Sequence, residues 1–154
     1  MTKKSIITLI ILLICLLLDQ ITKNIAIMNY NLLKDGIYLF DYLNLVYVEN
    51  RGVSFGFFAE HDKSFYFGIL SIIISTYILY LIYKSETNIE IVGLSMILSG
   101  ALGNGFDRIY YQYVIDFIDF HFQNYHWPAF NFADLFISTG AILFVISLVK
   151  NSKN

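Results

Sequence analysis

Residues 5–28 read SIITLIILLICLLLDQITKNIAIM, an apolar run that contains one acidic residue, Asp19, and one basic residue, Lys23. A helix needs about 20 mainly apolar residues to cross the hydrocarbon core of a bilayer. Lys3 and Lys4 before the run would also suit a cleavable signal peptide, but the apolar pattern continues well past Asp19. The sequence therefore predicts a retained transmembrane helix.

Three further apolar segments have the length of a membrane span, at residues 64–83, 89–109 and 131–149. The composition agrees, because 57% of the 154 residues are hydrophobic and 14% are charged, whereas about a quarter are charged in a typical soluble domain. A very apolar soluble domain would not gather its apolar residues into runs of membrane length. The predicted fold class is a membrane α-helical protein with four transmembrane helices, forming one domain over residues 1–154.

The distribution of charge predicts the orientation of these helices, since cytoplasmic loops of membrane proteins are enriched in Lys and Arg. With a cytoplasmic N-terminus, five lysines lie on the cytoplasmic side: Lys3, Lys4, Lys84, Lys150 and Lys153. On the other side, the segment 29–63 holds three cations, Lys34, Arg51 and Lys63, among five acidic residues. Both termini are therefore expected in the cytoplasm. The net charge of −2 gives no basic surface of the kind that binds nucleic acid.

The two longer segments between the helices, 29–63 and 110–130, contain alternation typical of strands. In residues 43–48, Asn44, Val46 and Val48 share one face and the residues between them share the other. The run breaks at 50–52 and resumes at 53–58. This pattern predicts a small β-sheet at the outer membrane surface. Its Tyr and Phe residues suit interfacial anchoring, and a lid over lipid chains is the alternative.

Polar residues inside the predicted helices gather near one membrane surface, where charged groups usually face a bundle interior or a wet cavity. Asp19 and Lys23 are four residues apart and can pair on one helix face. The third helix ends with a polar group, and the fourth begins with another: Asn104, Asp107 and Arg108, then Asn131 and Asp134. We interpret Asp19–Lys23 and Asp107–Arg108 as structural ion pairs.

Asp116 and Asp134 have no cation close to them in sequence. In the alternating run around Asp116, Asp119 falls on the opposite face and is the poorer candidate to meet a carboxylate of the fourth helix. Two facing carboxylates in an apolar setting share one proton, and such a pair can activate water and polarise a peptide carbonyl. The alternative is that Asn131 caps a helix and that Asp116 is a hydrogen-bonded surface residue. The residues alone leave both open.

Other functions fit less well. A zinc protease needs His-Glu-x-x-His, which the three histidines, His61, His121 and His126, do not form. An intramembrane serine protease needs a histidine in a membrane span, and none of the three histidines lies in a predicted span. A presenilin-type protease needs Gly-x-Gly-Asp, whereas residues 103–107 have one extra residue before the aspartate. A small transporter would spread ionisable groups through the membrane depth or show a repeat. A structural membrane adaptor would need no boundary carboxylates.

Five motifs, in order, resemble those of the prolipoprotein signal peptidase family, also called signal peptidase II. They are DQITK at 19–23, NRGVSFG at 50–56, GALGNGFDR at 100–108, VIDF at 114–117 and FNFAD at 130–134. One departure is Ser99, where the family commonly has a second glycine. Serine is also small and permits close packing of helices, as Gly100 and Gly103 do.

The resemblance implies a four-helix fold with a small extracytoplasmic sheet, in a bacterial cytoplasmic membrane with the active site toward the outer face. It implies cleavage of a signal peptide just before a diacylglyceryl-cysteine, without a metal or other cofactor. Asp116 and Asp134 would be catalytic. The residues that would bind substrate or support the site are Asp19, Lys23, Asn50, Gly52, Asn104, Asp107, Arg108 and Asn131. The expected partners are lipidated prolipoproteins and membrane lipids, with no nucleic acid, and the chain is expected to be a monomer.

Overall fold

Four long apolar helices and a small antiparallel sheet form the part of the chain that the computed structural model describes, residues 2–52 and 63–151. The elements are α1 Lys3–Met28, α2 Tyr30–Leu33, β1 Ile37–Phe40, β2 Leu43–Asn50, α3 Ser64–Lys84, α4 Asn88–Tyr110, β3 Val114–Phe122, β4 Tyr125–His126 and α5 Phe132–Asn151. Helices α1, α3, α4 and α5 are long and apolar enough to cross a membrane. The predicted fold class is confirmed, while the strand predicted at 53–58 lies outside the described residues.

Side-chain caps explain where two of the long helices begin. Thr2 accepts a hydrogen bond from the backbone N–H of Ser5 at 3.2 Å at the start of α1. Thr87 accepts one from the backbone N–H of Glu90 at 3.3 Å at the start of α4. Each hydroxyl satisfies a backbone donor that has no partner within its helix. The starting positions of these two helices are therefore set by a capping residue in the local sequence.

Helix α4 lies at the centre of the bundle, because 61% of the residues in its 18-residue apolar stretch are buried, against 11% for α1. It packs against α1, α3 and α5. Glycines allow this close packing. A Cβ atom on Gly140 would lie 2.5 Å from the carbonyl oxygen of Gly93, and a Cβ on Gly103 would lie 2.5 Å from Oδ2 of Asp19. The prediction that small residues bring the helix backbones together is confirmed.

The outer faces of the bundle are apolar, as a surface surrounded by lipid requires. Ile14 of α1, Ile73 of α3 and Ile142 of α5 are each more than half exposed. In water such a large exposed apolar surface would promote aggregation. In a bilayer it is in contact with acyl chains, so the charged residues of the helices are confined to the interior and the ends.

The sheet covers one end of the bundle in the strand order β1-β2-β3-β4. Strands β2 and β3 are antiparallel, with Val48 opposite Asp116 and Asn44 opposite Asp119. A β-bridge from Ile118 to Phe130 ties β3 to the segment just before α5. This bridge brings the middle of β3 next to the first turn of α5, which is where the candidate site lies.

Candidate active site

The first turn of α5 is held by reciprocal hydrogen bonds between Asn131 and Asp134. Oδ1 of Asn131 accepts from the backbone N–H of Asp134 at 3.1 Å, and Oδ2 of Asp134 accepts from the backbone N–H of Asn131 at 3.2 Å. This is the arrangement of a capping box. Asn131 therefore caps the helix, as one of the two interpretations predicted. The same bonds fix the Asp134 carboxylate at the N-terminal end of α5.

Asp116 is buried, with 2% of its surface exposed, and each of its carboxyl oxygens accepts one hydrogen bond. Its Oδ1 accepts from Nδ2 of Asn131 at 2.6 Å, and its Oδ2 accepts from Nδ2 of Asn50 at 2.9 Å. The interpretation of Asp116 as a surface residue is therefore wrong, because β3 is covered by β2 on one side and by the Phe130 bridge on the other. Asn131 contacts both aspartates: its amide donates to Asp116, and its backbone N–H donates to Asp134.

Asn104 of α4 connects the Asp134 carboxylate to a buried cation. Nδ2 of Asn104 donates to Oδ1 of Asp134 at 2.9 Å, while its Oδ1 accepts from Nζ of Lys23 at 2.8 Å. An ammonium group can only donate, so it selects the amide oxygen and turns the amide nitrogen toward Asp134. Nδ2 of Asn131 donates to the same oxygen at 3.3 Å, so Lys23 and Asn131 together set the orientation of the Asn104 side chain.

Lys23 is also the centre of a buried ionic cluster between α1 and α4. Its Nζ lies 2.9 Å from Oδ2 of Asp19 and 2.7 Å from Oδ2 of Asp107, and Lys23 and Asp19 are each 1% exposed. Nε2 of Gln20 bridges the two carboxylates. Asp19 also accepts from the backbone N–H of Ala133 at 2.9 Å, so it joins α1 to the start of α5. The predicted Asp19–Lys23 pair is confirmed.

The predicted pairing of Asp107 with Arg108 is wrong. Asp107 pairs with Lys23, and the guanidinium of Arg108 donates from Nη2 to the carbonyl oxygen of Gly52 at 3.1 Å and from Nη1 to that of Asn104 at 3.3 Å. Adjacent residues of a helix do not face each other, so the two side chains point to different neighbours. Arg108 thereby ties α4 to the end of β2, where the backbone N–H of Gly52 donates to Asn50.

Both aspartates line one cavity of about 470 Å³ between the sheet, α4 and α5. Asn50, Asn104 and Arg108 supply other polar groups of its lining. Glu49, Arg51 and Ser138 also line it, and the rest of the wall is apolar: Val48, Val114, Trp127, Pro128, Ala129, Phe130 and Ile137. The sequence patterns predicted no role for Trp127, Ile137 or Ser138. The cavity therefore places the carboxyl groups of Asp116 and Asp134 beside apolar side chains. Trp127 gave a weak signal in the sequence, as an aromatic residue just before the fourth helix.

The surroundings of Asp116 favour its protonated form. Burial and, next, the negative charge of Asp134 raise the pKa of Asp116 to about 7, while the hydrogen bonds from Asn50 and Asn131 oppose this rise. Asp116 therefore keeps its proton over much of the range below neutral pH. One protonated and one ionised carboxyl group can together act as general acid and general base.

Asp119 lies apart from this network, as the strand alternation predicts. Its carboxylate accepts from Nδ2 of Asn44 at 2.9 Å and lies 2.9 Å from Nδ1 of His126, whose ring stacks on that of His121. Within residues 2–52 and 63–151, no three His, Cys, Asp or Glu side chains are grouped so that they could hold a metal ion. Asp119 thus joins the β3–β4 hairpin to β2 through Asn44 and His126. Among the described residues it shares no hydrogen-bond partner with Asp116 or Asp134.

Comparison with known proteins gives concordant matches. The family model described as signal peptidase (SPase) II matches residues 11–150. The lipoprotein signal peptidase of Thermodesulfovibrio yellowstonii is 46% identical over 144 residues, covering 93% of this chain and 95% of that protein. The lipoprotein signal peptidase of Clostridium tetani is 38% identical, covering 92% of each chain. A solved bacterial membrane enzyme, 31% identical, superposes with a TM-score of 0.85 over 94% of this chain and 88% of its own.

Proposed function

This chain belongs to the signal peptidase II family of aspartic peptidases, and from that premise we propose that it cuts prolipoproteins just before their lipidated cysteine with the pair Asp116 and Asp134. The family resemblance seen in the five sequence motifs is thereby confirmed. The observation that carries the proposed mechanism is the position of Asn131, which hydrogen-bonds both carboxylates at the wall of one cavity.

The proposed reaction needs only a water molecule and the two carboxyl groups. Ionised Asp134 takes a proton from water, whose oxygen attacks the scissile carbonyl carbon, while protonated Asp116 gives its proton to the carbonyl oxygen. The tetrahedral intermediate then collapses. The C–N bond breaks as the amide nitrogen accepts the proton from Asp134, and Asp116 regains its proton from the hydroxyl group. The products are a signal peptide with a new carboxyl group and a lipoprotein with a free cysteine amine.

The hydrogen bonds of the two groups support this division of roles. Asp134 accepts from a backbone N–H at a helix N-terminus and from the amide of Asn104, both of which stabilise a negative charge. Asp116 is the more buried of the two side chains and has its pKa raised to about 7. We therefore assign Asp134 as the ionised general base and Asp116 as the protonated general acid.

Lipid attached to the substrate cysteine should be required for fast cleavage, since the cavity wall next to the carboxylates includes Trp127 and Ile137. Transfer of acyl chains into an apolar environment contributes free energy with every CH₂ buried. A diacylglyceryl peptide is expected to have a kcat/KM at least about a hundredfold above that of the same peptide with an unmodified cysteine. Mass spectrometry of both products in detergent micelles would give the rates and the position of the cut.

Equal rates for the two peptides would show that the lipid does not contribute to substrate recognition. A cut at any bond other than the one before cysteine would contradict the proposed specificity. A matched control is a peptide whose same cysteine carries a thioether-linked glyceryl group with a single acyl chain. It should fall between the two, because it offers roughly half the apolar chain surface.

The pH dependence should respond to Asn50, which donates to Asp116 and is outside the membrane-spanning helices. This bond favours the ionised form, so Asn50→Ala should raise the pKa of Asp116 further. Since activity requires protonated Asp116, the loss of kcat/KM on the alkaline side should move to higher pH. Asn44→Ala in the same strand is the matched control, because Asn44 donates to Asp119. An alkaline limb unchanged in Asn50→Ala, or shifted as much in Asn44→Ala, would refute the assignment.

We also propose that the chain acts as a single-domain monomer with both termini in the cytoplasm and the cavity at the outer surface. A Ser152→Cys variant should stay unlabelled when intact cells meet an impermeant thiol reagent, whereas Lys34→Cys, exposed just after α2, should label readily. The native Cys15 is buried and gives little background. Labelling of Ser152→Cys from outside, with Lys34→Cys silent, would reverse the orientation.

A further inference from the structure

A second cavity of about 390 Å³ lies between α1 and α3, at the end of the bundle away from the carboxylates. Its mouth is formed by the first residues of α1 and the last turn of α3, including Lys4 and Tyr83. Leu98 of α4 contributes to its floor. Helices α1 and α3 both pack along α4 but make few direct contacts with each other. The cavity therefore opens toward the surrounding lipid rather than toward a protein neighbour within the described residues.

The lining of this cavity changes from polar to apolar along its depth. Thr2, Lys4 and Ser5 lie at the mouth and Thr8 lies about one turn deeper, whereas Leu12 and Leu98 lie further toward the middle of their helices. Lys4 and Leu12 are eight residues apart on α1, which is about 12 Å along the helix axis. Polar atoms at the membrane surface followed by an apolar channel match the order of groups in a phospholipid, from its phosphate to its acyl chains.

The charge of the mouth is positive. Lys4 is the one charged residue among the described residues that line the cavity. Its Nζ donates to the carbonyl oxygen of Tyr83 at 3.1 Å, and an ammonium group has two further hydrogens to give. A second cation, Lys84, lies 6.0 Å from the ring centre of Tyr83. The acidic residues that follow α3, Glu86 and Glu90, do not line the cavity.

We propose that this cavity binds an anionic phospholipid, with the phosphate on Lys4 and an acyl chain between α1 and α3. The lipid would fill a gap between two helices that are otherwise joined mainly through α4. The site is separate from the cavity of the two aspartates. Its occupant is a resident lipid of the leaflet at the chain termini and takes no part in peptide cleavage.

Native mass spectrometry of the purified protein tests this proposal, using phosphatidylglycerol and phosphatidylcholine with identical acyl chains. The protein should retain one phosphatidylglycerol in preference to phosphatidylcholine. Lys4→Gln should reduce that retention about fivefold, the size expected for one cation near an anionic headgroup. Lys3→Gln is the matched control, since Lys3 carries the same charge at the same end but does not line the cavity. It should retain the lipid as the unchanged protein does.

A second pair of variants tests the apolar half of the site. Leu9→Trp should fill the cavity and expel the lipid, whereas Leu17→Trp, on an exposed part of α1 outside the cavity, should not. Normal peptide cleavage by all four variants would show that they are folded. Equal retention of the two lipids, equal losses in Lys3→Gln and Lys4→Gln, or full retention by Leu9→Trp would each overturn the proposal.

Discussion

Asp116→Asn and Asp134→Asn are each expected to lower the turnover of a lipidated substrate by about a thousandfold or more. Asparagine has nearly the shape of aspartate, so the hydrogen bonds with Asn131 can persist in part and the protein should still insert into the membrane. An amide can neither take a proton from water nor give one to a carbonyl oxygen. Single-turnover cleavage of a diacylglyceryl peptide would measure the loss without the contribution of product release.

Two further variants make this result specific. The double variant Asp116→Asn/Asp134→Asn should be little slower than either single one, because the proposed mechanism uses the two groups as a unit. Asp119→Asn should keep most of its activity, since Asp119 contacts Asn44 and His126 and neither of the other aspartates. Near-normal cleavage by Asp116→Asn together with an inactive Asp119→Asn, both at normal membrane levels, would show that the dyad is wrongly assigned.

Lys23→Met is expected to destabilise the folded protein by about 3–5 kcal/mol. The substitution keeps much of the side-chain volume but leaves the carboxylates of Asp19 and Asp107 buried without their cation. It also weakens the hold on Asn104, because only the longer hydrogen bond from Asn131 remains on its amide oxygen. The variant should therefore unfold at lower denaturant concentration in detergent, and any folded fraction should show reduced kcat.

Lys3→Met provides the matched control, since the same change at an exposed position should alter stability by much less. Asp107→Asn should fall between the two, because it leaves the pair between Lys23 and Asp19 intact. If Lys23→Met were as stable as Lys3→Met, the buried cluster would have no structural role. A loss of kcat without any loss of stability would instead assign Lys23 to positioning alone.

The connections among these residues join three of the four long helices. Asp19 of α1 accepts from the first turn of α5, and Lys23 of α1 orients Asn104 of α4, which donates to Asp134. The position of the Asp134 carboxylate thus depends on three helices, and that of Asp116 on two strands and the start of α5. A disturbance in helix packing should therefore reach the carboxylates directly.

Sequence alone determined the features that depend on local periodicity. Four apolar runs predicted α1, α3, α4 and α5, because each run has the length that a membrane requires. The spacing of four predicted the Asp19–Lys23 pair, which lies on one helix face. Alternation along β3 separated Asp116 from Asp119. Each of these is set by the geometry of a single element, so neighbouring residues suffice to predict it.

Only the tertiary structure decided which polar groups meet. Lys23 and Asn104 are 81 residues apart in sequence, yet they lie in contact because glycines such as Gly103 let α1 and α4 pack closely. Asp107 is next to Arg108 in the chain but pairs with Lys23, since helix geometry turns adjacent side chains to different neighbours. Hydrogen bonds between elements depend on how helices and strands pack against each other, and that packing is not recorded in the periodicity of any one of them.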